Sequence, residues 1–332
     1  MIVVNGRFLG QRPGGLQRTA RSLLEALREI VPVEVVAPSA DPLADVVLPV
    51  GRGRAAGQLW EQVLLPRQAA GRLVLSLANT APLAGHNAVL VHDLAPLVGP
   101  QWFHWSMRVY GRLVLTAARR ADAVLTVSHS VAAELRGRGL PVAGVVHPAV
   151  DPVFVPASAA EVSSVRHRYG LLRPYALLVG WADPRKDAQL AVRAHLSALA
   201  RIPHDLVLLG GRRSVFAPVL LPGVPSVHPL GHVTDAEVRA LLTGAVVLLF
   251  PSRYEGFGLP PLEAQACRTP SLVADLPVLR ESTGGQATFL AVDDEQAWAT
   301  AFLAALRKPA VVGPPPARSW REAAQELVDL LP

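Results

Sequence analysis

Cysteine is nearly missing from this chain. Cys267 is the single one in 332 residues, which excludes an internal disulfide and a zinc site built on thiolates. Lysine is almost as rare: of 32 basic residues only Lys186 and Lys308 are lysines. No stretch approaches the roughly 20 apolar residues that span a bilayer. The opening "MIVVNGRFLG" lacks the basic segment and long apolar core of a secretory leader. The cytoplasm is therefore the expected address. No D-x-D pair occurs anywhere, so a divalent-metal diphosphate site of that type is not expected, nor is any other metal or cofactor. No long basic run is interleaved with aromatics, which makes nucleic acid an unexpected partner. The net charge of +6 still leaves a surface suited to anions, whether nucleotide phosphates or lipid headgroups, and a peripheral contact at the inner face of a membrane stays open. A GC-rich coding bias would by itself give the same preference for arginine.

What is present is apolar and regularly interrupted. Hydrophobic residues make up 51% of the chain, enough to bury two cores of ordinary domain size. Runs such as "LVLSL" (73–77), "AVLVH" (88–92) and "AVLTV" (123–127) read as strands buried on both faces, with helical patterns such as "LQRTARSLLEALREI" between them. A second series follows, with "YALLVG" (175–180), "DLVLLGG" (205–211), "VVLLFPS" (246–252) and "SLVA" (271–274). Short apolar strands alternating with helices predict parallel sheets. The expectation is two doubly wound Rossmann-like domains, 1–155 and 156–315, facing across a deep cleft, with a last helix, 316–332, that either caps the second domain or crosses back to the first. In open α/β sheets ligands bind beyond the carboxyl ends of the strands.

Several candidate site residues fall at such ends. In "FPSRYEGFGLPPLEA" a strand runs into Glu255 and two glycines, then into a helix opened by Pro260 and Pro261. Prolines suit a first helical turn, and the amides of Phe257, Gly258 and Leu259 would meet a phosphate at the positive end of the helix dipole. Glu263 follows one turn in. An ordinary turn and a dipole-compensating glutamate would give the same pattern. "VGWADPRKDAQL" (179–190) repeats the logic: Gly180 ends a strand, and Arg185 and Lys186 enter the next helix at its start, where cations oppose the dipole unless an anion lies between them. "GQRPGGLQRTA" (10–20) places Gly14 and Gly15 before a helix, where backbone can approach a ligand or simply form a loop. His92 and Asp93 close the strand "VLVHD", with helix capping by Asp93 as the plain alternative. Two patterns are set aside. "GRGRAA" (51–56) matches a dinucleotide fingerprint but lacks the acid expected about 20 residues on. "HPLGH" (228–232) spaces two histidines by four, with a proline and a glycine against the helix that would align them.

Taken together, these segments resemble the family-four retaining glycosyltransferases, which have the GT-B fold. "EGFGLPPLEA" resembles their E-x7-E signature, "VGWADPRKD" their G-x-x-x-P-R-K-N segment, "TVSHS" their T-V-S-x-x-S and "PAVDPVF" their N-G-V-D-x-x-F. The resemblance implies transfer of a hexose or deoxyhexose from a nucleotide-diphosphate sugar to an acceptor hydroxyl, with retention and without metal, in cell-envelope glycan or natural-product glycoside synthesis. It implies that Arg185 and Lys186 neutralise the leaving diphosphate, that Glu255 holds donor-sugar hydroxyls, and that Phe257, Gly258 and Leu259 supply amides. It further assigns Glu263 to the ribose, Gly15 to the phosphate loop and His92 to the transferred sugar. The acceptor, a glycan, a lipid-linked sugar or a small molecule, is expected on the first domain, where "GPQWFHWSMRVYG" (99–111) clusters Trp102, Phe103 and Trp105. Departures are Trp181 where many relatives have an arginine, Asp187 for asparagine and Arg268 for glycine. A catalytically degenerate nucleotide-sugar-binding or partner protein is the alternative. A corner in which Glu255 stays folded onto Lys186 even with donor present would contradict the enzyme reading.

Overall fold

The computed structural model describes residues 1–11, 14–51 and 53–332, and the chain divides into two compact units. The first comprises 1–98, 108–149 and 318–332, the second 99–107 and 150–317.

The first unit holds a seven-stranded sheet: β1 (Ile2–Asn5), β2 (Val33–Ala37), β3 (Val46–Val47), β4 (Val74–Ser76), β5 (Asn87–Val91), β6 (Ala123–Thr126) and β7 (Gly144–Val145). Their order is β3-β2-β1-β4-β5-β6-β7, with every pair parallel. The central strands β4, β5 and β6 are buried at every position, as expected of a parallel sheet covered on both faces. The helix Gly15–Ile30 turns Leu23, Leu24 and Leu27 inward. The terminal helix Trp320–Asp329 packs against it, opened by a capping box between Ser319 and Glu322.

The second unit holds a six-stranded sheet: β8 (Tyr175–Val179), β9 (Asp205–Leu209), β10 (Val227–Gly231), β11 (Val247–Phe250), β12 (Ser271–Ala274) and β13 (Thr288–Leu290). The order is β10-β9-β8-β11-β12-β13, again parallel throughout. Its core gathers Tyr175, Phe250, Trp298 and Phe302, each no more than 1% exposed. Both sheets reverse winding direction once, between β1 and β4 and between β8 and β11. Such switch points are where open α/β sheets bind ligands.

The structure differs from the sequence expectation over 99–107. This segment belongs with the second unit because the His104 amide donates to the Val215 carbonyl (2.9 Å), the Ala217 amide donates to the Trp102 carbonyl (2.9 Å), and Phe103 packs on Phe216 at 5.6 Å between ring centroids. The breaks between units otherwise fall after Ala149 and Ala317. Among the described residues no helix is long and apolar enough to cross a membrane.

Candidate active site at the β8–β11 switch point

The carboxyl end of β8 passes into Gly180, whose φ of +81° is a conformation side chains rarely adopt. Its amide donates to the Leu209 carbonyl at 2.7 Å. A tight turn follows, Pro184–Lys186, capped by Asp183, whose Oδ1 accepts from the Arg185 amide at 3.0 Å. The same carboxylate takes the Arg185 guanidinium in a fork, Nε to Oδ1 at 3.1 Å and Nη2 to Oδ2 at 2.6 Å. That guanidinium lies 5.5 Å from the Phe103 ring centroid and 5.9 Å from that of Phe216. Arg185 is therefore held in place before any ligand arrives, with much of its charge already balanced.

Arg185 and Lys186 do not stand in the first turn of the α-helix, where the sequence pattern put them. They close the single 3-10 turn Pro184–Lys186 and precede the α-helix that starts at Ala188, whose N-cap is Asp187, with Oδ1 accepting from the Leu190 amide at 3.1 Å. Asp187 reaches this position with φ of +42°, and its other oxygen accepts from Arg253 Nε at 2.8 Å. The unusual aspartate thus serves as both cap and ion-pair partner.

From β11 the chain runs through Ser252 and Arg253 to Glu255. The Arg253 amide donates to the Arg185 carbonyl at 2.8 Å, so the two loops are laced together. Lys186 Nζ forms an ion pair with Glu255 Oε1, with side chains only 12% and 9% exposed. The ammonium also sits 4.3 Å from the Phe250 ring centroid, a cation–π placement. Beyond Glu255, Gly258 has φ of +94°, and a Cβ there would lie 2.4 Å from Leu279 Cδ2. Only glycine fits. It opens the helix Leu259–Ala266 without a side-chain cap, with prolines in the first turn, leaving the positive helix end for whatever binds there. Phe257 is 8% exposed and Glu263 only 3%, so both side chains are buried.

Eight of the residues singled out from the sequence therefore lie in the second unit: Gly180, Arg185, Lys186, Glu255, Phe257, Gly258, Leu259 and Glu263. His92, Gly14 and Gly15 lie in the first. His92 is buried, its amide donates to Asn79 Oδ1 at 2.6 Å, and its Nε2 is 2.8 Å from the Leu77 carbonyl. A carbonyl only accepts, so Nε2 carries the proton and Nδ1 is bare. Burial lowers its pKa, against the carbonyl contact and the Asp93 charge, and keeps the ring neutral. Gly14 caps the helix Gly15–Ile30 in extended backbone, and a Cβ at Gly15 would meet nothing within 4 Å. The fold itself does not demand glycine there. Arg12 and Pro13 of that loop, and Arg52 of "GRGRAA", lie outside the described residues. In "HPLGH", His228 lies on strand β10.

Sequence reasoning missed a polar knot at the first unit's own switch point. Glu61 is fully buried on a π-helical turn, Trp60–Leu64. Its Oε1 accepts from Asn5 Nδ2 at 2.8 Å and Thr80 Oγ1 at 2.9 Å, and Oε2 pairs with Arg7 at 2.7 Å. Nothing local in "WEQVL" signals this, because its partners come from two distant strand ends. The aromatic cluster is also dispersed: Phe103 serves the Arg185 corner, while Trp105 is 67% exposed.

Residues 173–308 match the family model described as glycosyl transferases group 1. The chain is 28% identical over 238 residues to the O-antigen chain mannosyltransferase RfbU of Salmonella typhimurium, covering 70% of this chain and 64% of that one. It is 31% identical over 179 residues to the O-antigen chain mannosyltransferase B of Escherichia coli, covering 52% and 45%. The chain thus spans less than two thirds of the length of these relatives. Among solved structures, Anabaena Alr3699/HepE in complex with UDP and glucose superposes with a TM-score of 0.70 at 16% identity, over 99% of this chain and 95% of that one. That likeness concerns the fold. The second unit thus carries the match to glycosyl transferases group 1, and the two parallel-sheet units share the fold of solved glycosyltransferase-like structures such as HepE.

Proposed function

We propose that this protein is a retaining glycosyltransferase that moves a hexose, mannose being favoured by the names of its relatives, from a nucleotide-diphosphate sugar to an acceptor hydroxyl in bacterial envelope-glycan synthesis. The observation that carries the reading is the buried Lys186–Glu255 pair at the β8–β11 switch point, beside an uncapped helix start that only glycine can form. A diphosphate offers Lys186 a stronger anionic partner, and its arrival frees the Glu255 carboxylate to accept from sugar hydroxyls. Arg185, braced by Asp183, and the amides following Gly258 add positive potential around the leaving group.

In the step proposed, the bond from the anomeric carbon to the diphosphate oxygen breaks as the acceptor oxygen bonds to the same face. The acceptor proton passes to the departing phosphate oxygen. Catalysis is then electrostatic, without a metal ion and without a covalent enzyme intermediate. The first unit is proposed to take the acceptor, a glycan, a lipid-linked sugar or a small molecule, in the cytoplasm or at the inner membrane face.

The test is calorimetry with UDP, GDP and their sugar esters, followed by transfer assays in excess chelator and NMR of the product's anomeric configuration. Saturable nucleotide binding, transfer in chelator and retained configuration are expected. Absence of nucleotide binding, or a Lys186–Glu255 pair that persists in a crystal soaked with donor, would overturn the proposal and favour a catalytically degenerate relative.

A further inference from the structure

Seven buried side-chain polar atoms among the described residues have no hydrogen-bond partner, and two of them flank the proposed site. Trp181 Nε1 belongs to the residue directly after Gly180, at the carboxyl end of β8. Ser252 Oγ belongs to the second residue beyond β11. Ser252 is fully buried and Trp181 is 9% exposed. The strands pair in parallel register with Val247 opposite Ala176 and Leu248 opposite Leu177. β8 ends at Val179 and β11 at Phe250, so the two unsatisfied groups follow the carboxyl ends of neighbouring strands, one on either side of the switch point.

Buried polar groups are ordinarily paired, and leaving one unpaired costs more than the hydrogen bond itself contributes. The Trp181 ring packs in the hydrophobic core of the second unit, but that packing calls for no N–H, just as the enclosure of Ser252 calls for no hydroxyl. We infer that Trp181 and Ser252 are ligand-binding residues: the indole N–H and the serine hydroxyl hydrogen-bond to the diphosphate oxygens of the nucleotide. This rests on the reading of the site given above. An indole N–H can only donate, so its counterpart is an acceptor, and a hydroxyl can donate to the same group. A diphosphate supplies several acceptor oxygens at once. Trp181 is joined through the Asp183–Lys186 turn to the ammonium, and Ser252 leads within three residues to Glu255. The Lys186–Glu255 pair ties these two segments together in the free protein. A diphosphate that takes Lys186 from Glu255 loosens the tie, and the two orphaned groups become available to it.

Two substitutions that keep an aromatic ring at 181 and a small side chain at 252 test this. Trp181→Phe deletes the N–H, and Ser252→Ala deletes the hydroxyl. Because the Ser252 hydroxyl has no partner in the free protein, Ser252→Ala is expected to melt at or above the wild-type temperature, while Trp181→Phe, which also trims a core side chain, is expected to melt lower. Their affinity for UDP or GDP by calorimetry is expected to fall, about 10- to 100-fold for Trp181→Phe and about 3- to 10-fold for Ser252→Ala. Variants that melt lower yet bind the nucleotide as tightly as wild type would overturn the inference and make the two groups part of the fold. A wild-type protein that binds neither nucleotide would remove the site and the inference together. Wild-type binding with unaltered variants would remove the inference alone.

Discussion

Replacing Lys186 with alanine should cost this protein stability as well as turnover. Glu255 is 9% exposed and has the ammonium as its ion-pair partner. Removing one member of a buried pair leaves an uncompensated charge, a loss of about 3–5 kcal/mol. Set against total stabilities of roughly 5–15 kcal/mol, that is a large share. In a domain of this size each kcal/mol moves the melting temperature by about 2–4 °C, so the drop should be on the order of 10 °C. Glu255→Gln on the same background removes the stranded charge and should restore much of it. The double variant is then more stable than Lys186→Ala alone while remaining inactive. Turnover in Lys186→Ala should fall by at least the 10²–10³ typical of losing one preorganised group. Calorimetric melts of the wild type, both single variants and the double variant, without ligand, complete the cycle. A Lys186→Ala protein melting within about 2 °C of wild type, or a double variant no more stable than it, would refute the buried-charge argument. The functional assignment of Lys186 would then stand or fall on turnover alone.

Three further outcomes are expected. His195 is fully buried, and burial with two neighbouring imidazoles lowers its pKa to about 4. The native state thus binds fewer protons than the unfolded chain, whose histidine titrates near 6.5. Stability should be full above that pH and fall as pH drops toward 4, by ~3 kcal/mol from this residue. Acid melts of His195→Gln should show a shallower decline, and an unchanged profile would exclude the buried neutral ring as the cause. Gly258→Ala should lose about 2–4 kcal/mol in urea unfolding, since it combines a left-handed backbone with a clash against Leu279; a loss under about 1 kcal/mol would mean the loop relaxes freely. Transfer activity should survive excess chelator, and loss reversed by added magnesium would show that a metal is required.

The parallel strands were legible because "YALLV" and "VLLF" are apolar at every position, the mark of burial on both faces. β10 was not, because "VHPLG" carries a proline and partly exposed residues as the sheet's edge strand. Lys186 and Glu255 each stood out by residue type and flanking glycines. Their mutual pairing did not, because it bridges 69 positions and exists only where β8 and β11 are neighbours. The helix start after Lys186 was misplaced because a non-glycine residue in left-handed backbone, Asp187, leaves no trace in sequence. For the same reason of distance, the pairing of 102–104 with 215–217 was invisible, and Phe103 was assigned to the wrong unit.

The near absence of cysteine has a practical corollary. Cys267 ends the helix Leu259–Ala266, its amide donates to the Glu263 carbonyl at 3.0 Å, and burial pushes its thiol up to about 12. A protonated, enclosed thiol is inert to alkylating reagents until this stretch opens. The rate at which a maleimide reacts with the native protein is thus a built-in clock for local unfolding of the segment that follows Glu255, readable by mass with no engineered label and no background from other thiols.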